Sequence, residues 1–166
     1  MKKIILALYL ILGVNVFADW SADMFKAYNN AEYEKVKEIM VKACDNDIMA
    51  ACSELATIYR DGKIIKQDKV KAKELYSKVC DSGNSGACYD LGFMYHYGDG
   101  IQMDKVKAKE LYTKACDNWN FDACYDLGVM YKKGDGIEQD IEKAKELFGK
   151  LCKAGIEKAC SALKTK

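Results

Sequence analysis

The chain has 166 residues, of which 26 are Lys or Arg and 25 are Asp or Glu, for a formal charge of +1. That balance excludes the basic excess of a general nucleic-acid binder. No proline, eight cysteines and half the residues apolar exclude collagen-like and proline-rich disordered chains and favour helices joined by Gly and Asn turns.

Residues 1–18 read as a cleaved secretory leader. Lys2 and Lys3 give a positive start, Ile4 to Val16 is a nearly unbroken apolar run, and Val16-Phe17-Ala18 places small residues where a signal peptidase reads. The run is too short for the roughly 20 residues of a membrane span. No later segment is apolar enough to cross a bilayer, so no span is expected after cleavage. The mature chain, 19–166, then carries −1 and has no steering field.

Residues 19–47 read as a shorter, divergent first repeat. From there the cysteines set the period. They stand at 44, 52, 80, 88, 116, 124, 152 and 160, eight apart within each pair and 36 from pair to pair. The intervening sequence repeats in step. Ala72-Lys73-Glu74-Leu75-Tyr76 returns as Ala108-Lys109-Glu110-Leu111-Tyr112 and as Ala144-Lys145-Glu146-Leu147-Phe148. Leu91-Gly92-Phe93-Met94-Tyr95 returns as Leu127-Gly128-Val129-Met130-Tyr131, and Gly98-Asp99-Gly100-Ile101 as Gly134-Asp135-Gly136-Ile137. A fixed period of this length defines a repeat protein, with units at 48–83, 84–119 and 120–155 and a capping helix and tail at 156–166.

Each unit predicts two helices. In the second, Ala108, Leu111, Tyr112 and Ala115 fall on one apolar face; in the first, Ala87, Cys88, Leu91, Gly92 and Tyr95 do so. Asp104 and Asp140 are placed to cap the second helices, and Gly98 to end the first.

Eight thiols suit either disulfides or zinc. Zinc sites favour C-x₂₋₄-C spacing, whereas here the spacing is C-x₇-C with a single histidine, so no metal and no cofactor is expected. A leader directs the chain to an oxidising compartment. Eight cysteines allow 105 connectivities, but each unit offers one close pair. In a continuous helix, residues eight apart are about 12 Å apart along the axis, beyond disulfide reach. The chain must therefore reverse at Asp45-Asn46-Asp47, Ser82-Gly83-Asn84, Asp117-Asn118-Trp119-Asn120 and Ala154-Gly155. The expected bridges are Cys44 with Cys52, Cys80 with Cys88, Cys116 with Cys124, and Cys152 with Cys160, all structural.

The pattern LGxxYxxGxG, then Asp, then Ala followed by Leu-Tyr and Lys-x-Cys, resembles the Sel1-like repeat, which is related to tetratricopeptide repeats. A cysteine pair in every unit and a leader narrow the likeness to the Helicobacter cysteine-rich proteins. The resemblance implies an all-α fold: an α/α superhelical solenoid of Sel1-like repeats stapled by disulfides, periplasmic or secreted. Members are also labelled penicillin-binding proteins or weak β-lactamases, which makes a hydrolase of that kind the alternative function.

The residues present supply no complete catalytic motif, and no catalytic residue is assigned. Ser161-Ala162-Leu163-Lys164 matches S-x-x-K by letters, but Lys164-Thr165-Lys166 is not K-T-G and no S-D-N occurs. A zinc hydrolase needs several histidines, and only His96 exists; it reads as a stacking or surface residue. One helix face does read as a site. With Ala87, Leu91 and Tyr95 facing the core, Tyr89, Phe93, His96 and Tyr97 fall nearly opposite, where an ordinary solvent face is charged. The corresponding positions are Tyr125, Val129, Lys132 and Lys133 in the next unit, and Ser53, Thr57, Arg60 and Asp61 in the preceding one. In tetratricopeptide-like solenoids this face lines the concave groove. The groove candidates are thus Tyr89, Phe93, His96, Tyr97, Tyr125, Lys132 and Lys133, for a peptide, protein or peptidoglycan-derived ligand. The competing reading has these side chains packing on the neighbouring unit.

Overall fold

The computed structural model describes residues 16–164. The predicted leader lies outside the described residues, except for 16–18, which stand at the start of the first helix. Nine helices occur among the described residues: α1 Val16–Asn29, α2 Tyr33–Asp45, α3 Met49–Asp61, α4 Lys69–Asp81, α5 Ser85–Tyr97, α6 Lys105–Asp117, α7 Phe121–Lys133, α8 Ile141–Lys153 and α9 Glu157–Lys164. No described helix is long and apolar enough to cross a membrane. The chain forms two compact units that divide at Asp68, between the two helices of the predicted 48–83 repeat.

In the N-terminal unit, α1 packs on α2 and α2 on α3. Ala27, Val36, Met40, Ala43, Ala51 and Leu55 are buried there. In the C-terminal unit each helix from α4 to α9 packs on the next. The recurring motif explains how. Ala72, Ala108 and Ala144 each lie four residues before a large ring, Tyr76, Tyr112 and Phe148, and all six are buried. The small residue lets the neighbouring backbone close in, and the ring fills the space between helices. Gly92 of α5 and Gly128 of α7 receive the second and third of those rings. A Cβ on Gly92 would lie 2.8 Å from the Tyr112 ring, and one on Gly128 2.8 Å from the Phe148 ring.

The second-helix caps form where expected: Asp104 accepts from the Lys107 N–H and Asp140 from the Lys143 N–H, each at 2.9 Å. The first helices are capped in the same way by Asn84 and Asn120, which accept from Ala87 and Ala123. Each asparagine thus serves both the turn and the helix start. Gly98 ends α5 and Gly134 ends α7, their N–H groups returning to Met94 and Met130.

All four close cysteine pairs are bonded: Cys44–Cys52, Cys80–Cys88, Cys116–Cys124 and Cys152–Cys160, with Cα atoms 4.6–4.7 Å apart. Each joins the end of one helix to the start of the next.

Candidate functional site

Helix α5 departs from the simple two-faced reading. Leu91 and Ala87 are buried, but so are Met94 and His96, while Tyr95 is only half-buried beneath the Lys107 ammonium, 4.8 Å from its ring centre. The reason is that side chains from farther along the chain reach the side predicted to be open.

His96 shows this most clearly: of the two readings, stacking or surface, it takes the first, being 8% exposed with its ring against Tyr97. Its Nε2 lies 2.8 Å from Asp135 Oδ2, its Nδ1 lies 3.5 Å from the Tyr112 hydroxyl, and its ring stacks on Tyr97 at 4.5 Å. The other Asp135 oxygen accepts from Lys105. One carboxylate therefore clasps two helices, α5 and α6, from the loop after α7. The Lys105 and His96 hydrogen bonds hold the Asp135 carboxyl below the usual carboxylate range. An equivalent Lys69–Asp99 pair occurs 36 residues earlier.

Tyr89 and Tyr125 also spend much of their surface on packing. The Tyr89 hydroxyl donates to Asp126 Oδ2 at 3.1 Å, and its ring lies 5.6 Å from Tyr112. Burial, then the nearby Asp126 charge, pushes the Tyr89 phenol up. Tyr125 lies 5.4 Å from Phe148, with Lys158 Nζ 4.6 Å from its ring centre. Lys132 donates to the Ala162 carbonyl at 3.3 Å. Phe93, Tyr97 and Lys133 stay open to solvent. Phe93 is 37% and Tyr97 61% exposed, and their rings pair at 4.5 Å. The predicted stripe thus divides into an inner set that joins neighbouring repeats and an outer aromatic pair that sits on it.

Asp126 behaves oppositely to Asp135. Burial raises its pKa, against the Tyr89 hydrogen bond and the Lys158 charge that pull it down. A depressed native pKa contributes stability above the ordinary carboxylate pKa, and that contribution is lost as pH falls through the native value. A raised one makes ionisation costly as pH rises past the unfolded value. Asp135→Asn is therefore expected to lower the melting temperature at pH 7 more than at pH 3. Asp126→Asn is expected to leave the pH 7 value unchanged or raised. Melting curves across pH 3–7 check both; equal Asp135→Asn deficits at the two ends would remove the linkage.

The N-terminal unit holds an apolar cavity of about 460 Å³ lined by Met24, Phe25, Tyr28, Met40, Ile58 and Ile64, among others. Phe25 is 64% and Tyr28 48% exposed. Sequence reasoning passes over it because this unit diverges from the repeat. The available signal is Met24, Phe25 and Tyr28 on one side of α1. Ser161 and Lys164, the S-x-x-K letters, are both exposed on α9. No cluster of His, Cys, Asp or Glu suited to a metal occurs among the described residues.

Paired helices with small-to-large interlocking, stapled turns and an exposed aromatic pair define an α/α repeat scaffold of the protein-interaction type. Sel1 repeats are recognised over residues 50–84, 85–118 and 121–156. The chain belongs to the Sel1-repeat family. Among solved structures it is similar to Helicobacter pylori cysteine rich protein B, at 30% identity and TM-score 0.61, covering 80% of this chain and 95% of that one. It is also similar to c5321, a protective antigen of uropathogenic Escherichia coli with an SLR fold, at 26% identity and TM-score 0.78 over 87% of this chain. A Sel1 repeat protein from Oxalobacter formigenes shares the fold, at 21% identity and TM-score 0.74 over 87% of this chain. The chain spans 32% and 58% of the lengths of those last two proteins. No curated protein matches it in sequence.

Proposed function

We propose that this chain is an extracytoplasmic interaction scaffold that binds a peptide segment of a partner protein on the Phe93–Tyr97 pair of α5. The leader-like N-terminus, a disulfide in every repeat and the likeness to a cysteine-rich Helicobacter protein support the compartment. The exposed aromatic pair carries the binding reading. Two rings in contact, backed by a buried and clasped His96, form a rigid apolar anchor that loses little conformational freedom on binding. The units of the proposed architecture are 19–47, three repeats at 48–83, 84–119 and 120–155, and a cap at 156–166.

Phe93→Ala is expected to weaken partner binding by about 2 kcal/mol or more while moving the melting temperature little, because the ring is already partly solvated. Lys133→Ala is expected to remove a salt-sensitive part of binding to an acidic segment. Wild-type and Phe93→Ala proteins used as bait in periplasmic and secreted fractions, followed by affinity measurement on what is recovered, test this. A large stability loss with unchanged affinity would assign Phe93 to packing and end the proposal.

A further inference from the structure

Each of the four turns closed by a disulfide passes through left-handed backbone at one position, and these positions are 36 residues apart: Asp47 (φ 61°), Gly83 (96°), Trp119 (63°) and Gly155 (86°). Glycine adopts this region freely, whereas a bulky side chain is strained there. Trp119 gains no packing in return. It is 82% exposed, more than any other large apolar side chain among the described residues. The turn is held by the Cys116–Cys124 bridge. It borders a cleft of about 350 Å³ lined by Trp119, Phe121, Leu147, Leu151, Asp117 and Lys150, with the bridge itself at one side. Phe121 is itself 40% exposed.

The charges in this cleft are unequal. The Lys150 ammonium is engaged by Glu146 at 2.6 Å. The Asp117 carboxylate is exposed and forms no ion pair or hydrogen bond among the described residues. An uncompensated carboxylate beside two aromatic rings, over an aliphatic floor, complements a cation on a methylene stem. An indole face is the best aromatic partner for a cation, and a guanidinium both stacks on it and hydrogen-bonds a carboxylate.

We propose that the Trp119 turn is a docking site for an arginine side chain of a partner polypeptide. The guanidinium lies over the indole and against Asp117, and the stem covers Leu147 and Leu151. Other occupants fit less well. Two rings are far smaller than the roughly 800 Å² per partner of a stable dimer. Asp117 repels an anionic membrane surface. A compact quaternary ammonium leaves the aliphatic floor uncovered. The site uses different residues from the α5 pair and goes beyond the function proposed above.

The test is a titration of the folded, oxidised protein with acetylated, amidated triarginine, following the two indole N–H resonances by NMR and binding heat by calorimetry. The Trp119 resonance, assigned with Trp119→Gly, is expected to shift saturably, and triglutamate of the same design is expected to produce no shift. Asp117→Asn is expected to weaken binding at least about fivefold. Trp119→Gly, the residue of the sister turns at 83 and 155, is expected to abolish binding while holding or raising the melting temperature. Phe93→Ala is expected to leave triarginine binding intact. No saturable response, an equal response to triglutamate, or a lower melting temperature for Trp119→Gly would overturn the inference. Loss of binding on Phe93→Ala but not on Trp119→Gly would place the peptide on α5, sinking this inference and sparing the proposed function.

Discussion

Reduction of the four disulfides is expected to lower the melting temperature by at least about 15 °C. Each bridge closes a loop of only eight residues. The chain-entropy account gives about 2.5 kcal/mol for a loop of that size. Whole domains have stabilities of only about 5–15 kcal/mol, and in a repeat stack each element contacts just its neighbours, so no central core compensates for a loosened hairpin. The N-terminal unit carries one bridge and the C-terminal unit three. The bridges differ in access. Cys80 and Cys88 are each 1% exposed, whereas Cys152 and Cys160 are half-buried at the C-terminal edge. Mild reductant followed by alkylation and peptide mapping is expected to label Cys152 and Cys160 first. Circular dichroism melts with and without reductant decide the main point. An unchanged midpoint would show that helix packing alone holds the hairpins.

The architecture is legible in the sequence because the repeat writes it three times. The 36-residue cysteine period, the Ala-to-ring spacing of Ala108 and Tyr112, and the caps Asp104 and Asp140 are local patterns, and local patterns survive without knowledge of the fold. His96 misleads for the opposite reason. A helical projection places it opposite Leu91, but Asp135, 39 residues away, and Tyr112, 16 residues away, lie against its ring. Arg60 and Lys132 occupy the matching positions, so the repeat itself carries a hint: a side chain able to bear positive charge recurs there. Trp119 reads as a turn residue because turns are recognised by composition; its exposure and left-handed backbone emerge only in the folded chain. The cavity of the N-terminal unit escapes because residues 19–47 depart from the motifs that mark the regular repeats.

A side chain at Gly92 is expected to do more damage than any change on the exposed face of α5. A Cβ there would lie 2.8 Å from both Cδ1 and Cε1 of Tyr112 and 3.3 Å from Leu111 Cβ. The Tyr112 ring has no exposed surface and is flanked by Tyr89 and His96, so it cannot swing aside, and α5 must move instead. Gly92→Ala sets that overpacking, about 1–3 kcal/mol, against the helix-propensity gain of up to about 1 kcal/mol over glycine. Gly92→Val adds two methyl groups and loses most of that gain through its restricted χ1; a loss of about 3 kcal/mol is expected. The partner change tests the cause. Tyr112→Leu shrinks the opposing side chain, so in the Gly92→Ala background it is expected to cost less than it does alone, with a coupling of about 0.5–3 kcal/mol in chemical denaturation. Strict additivity would place the Gly92 effect elsewhere. The same displacement reaches Phe93, the next residue on α5. Gly92→Val is therefore expected to reduce partner binding together with stability, whereas Phe93→Ala reduces binding alone, and that difference separates the positioning of the aromatic pair from its contact with the ligand.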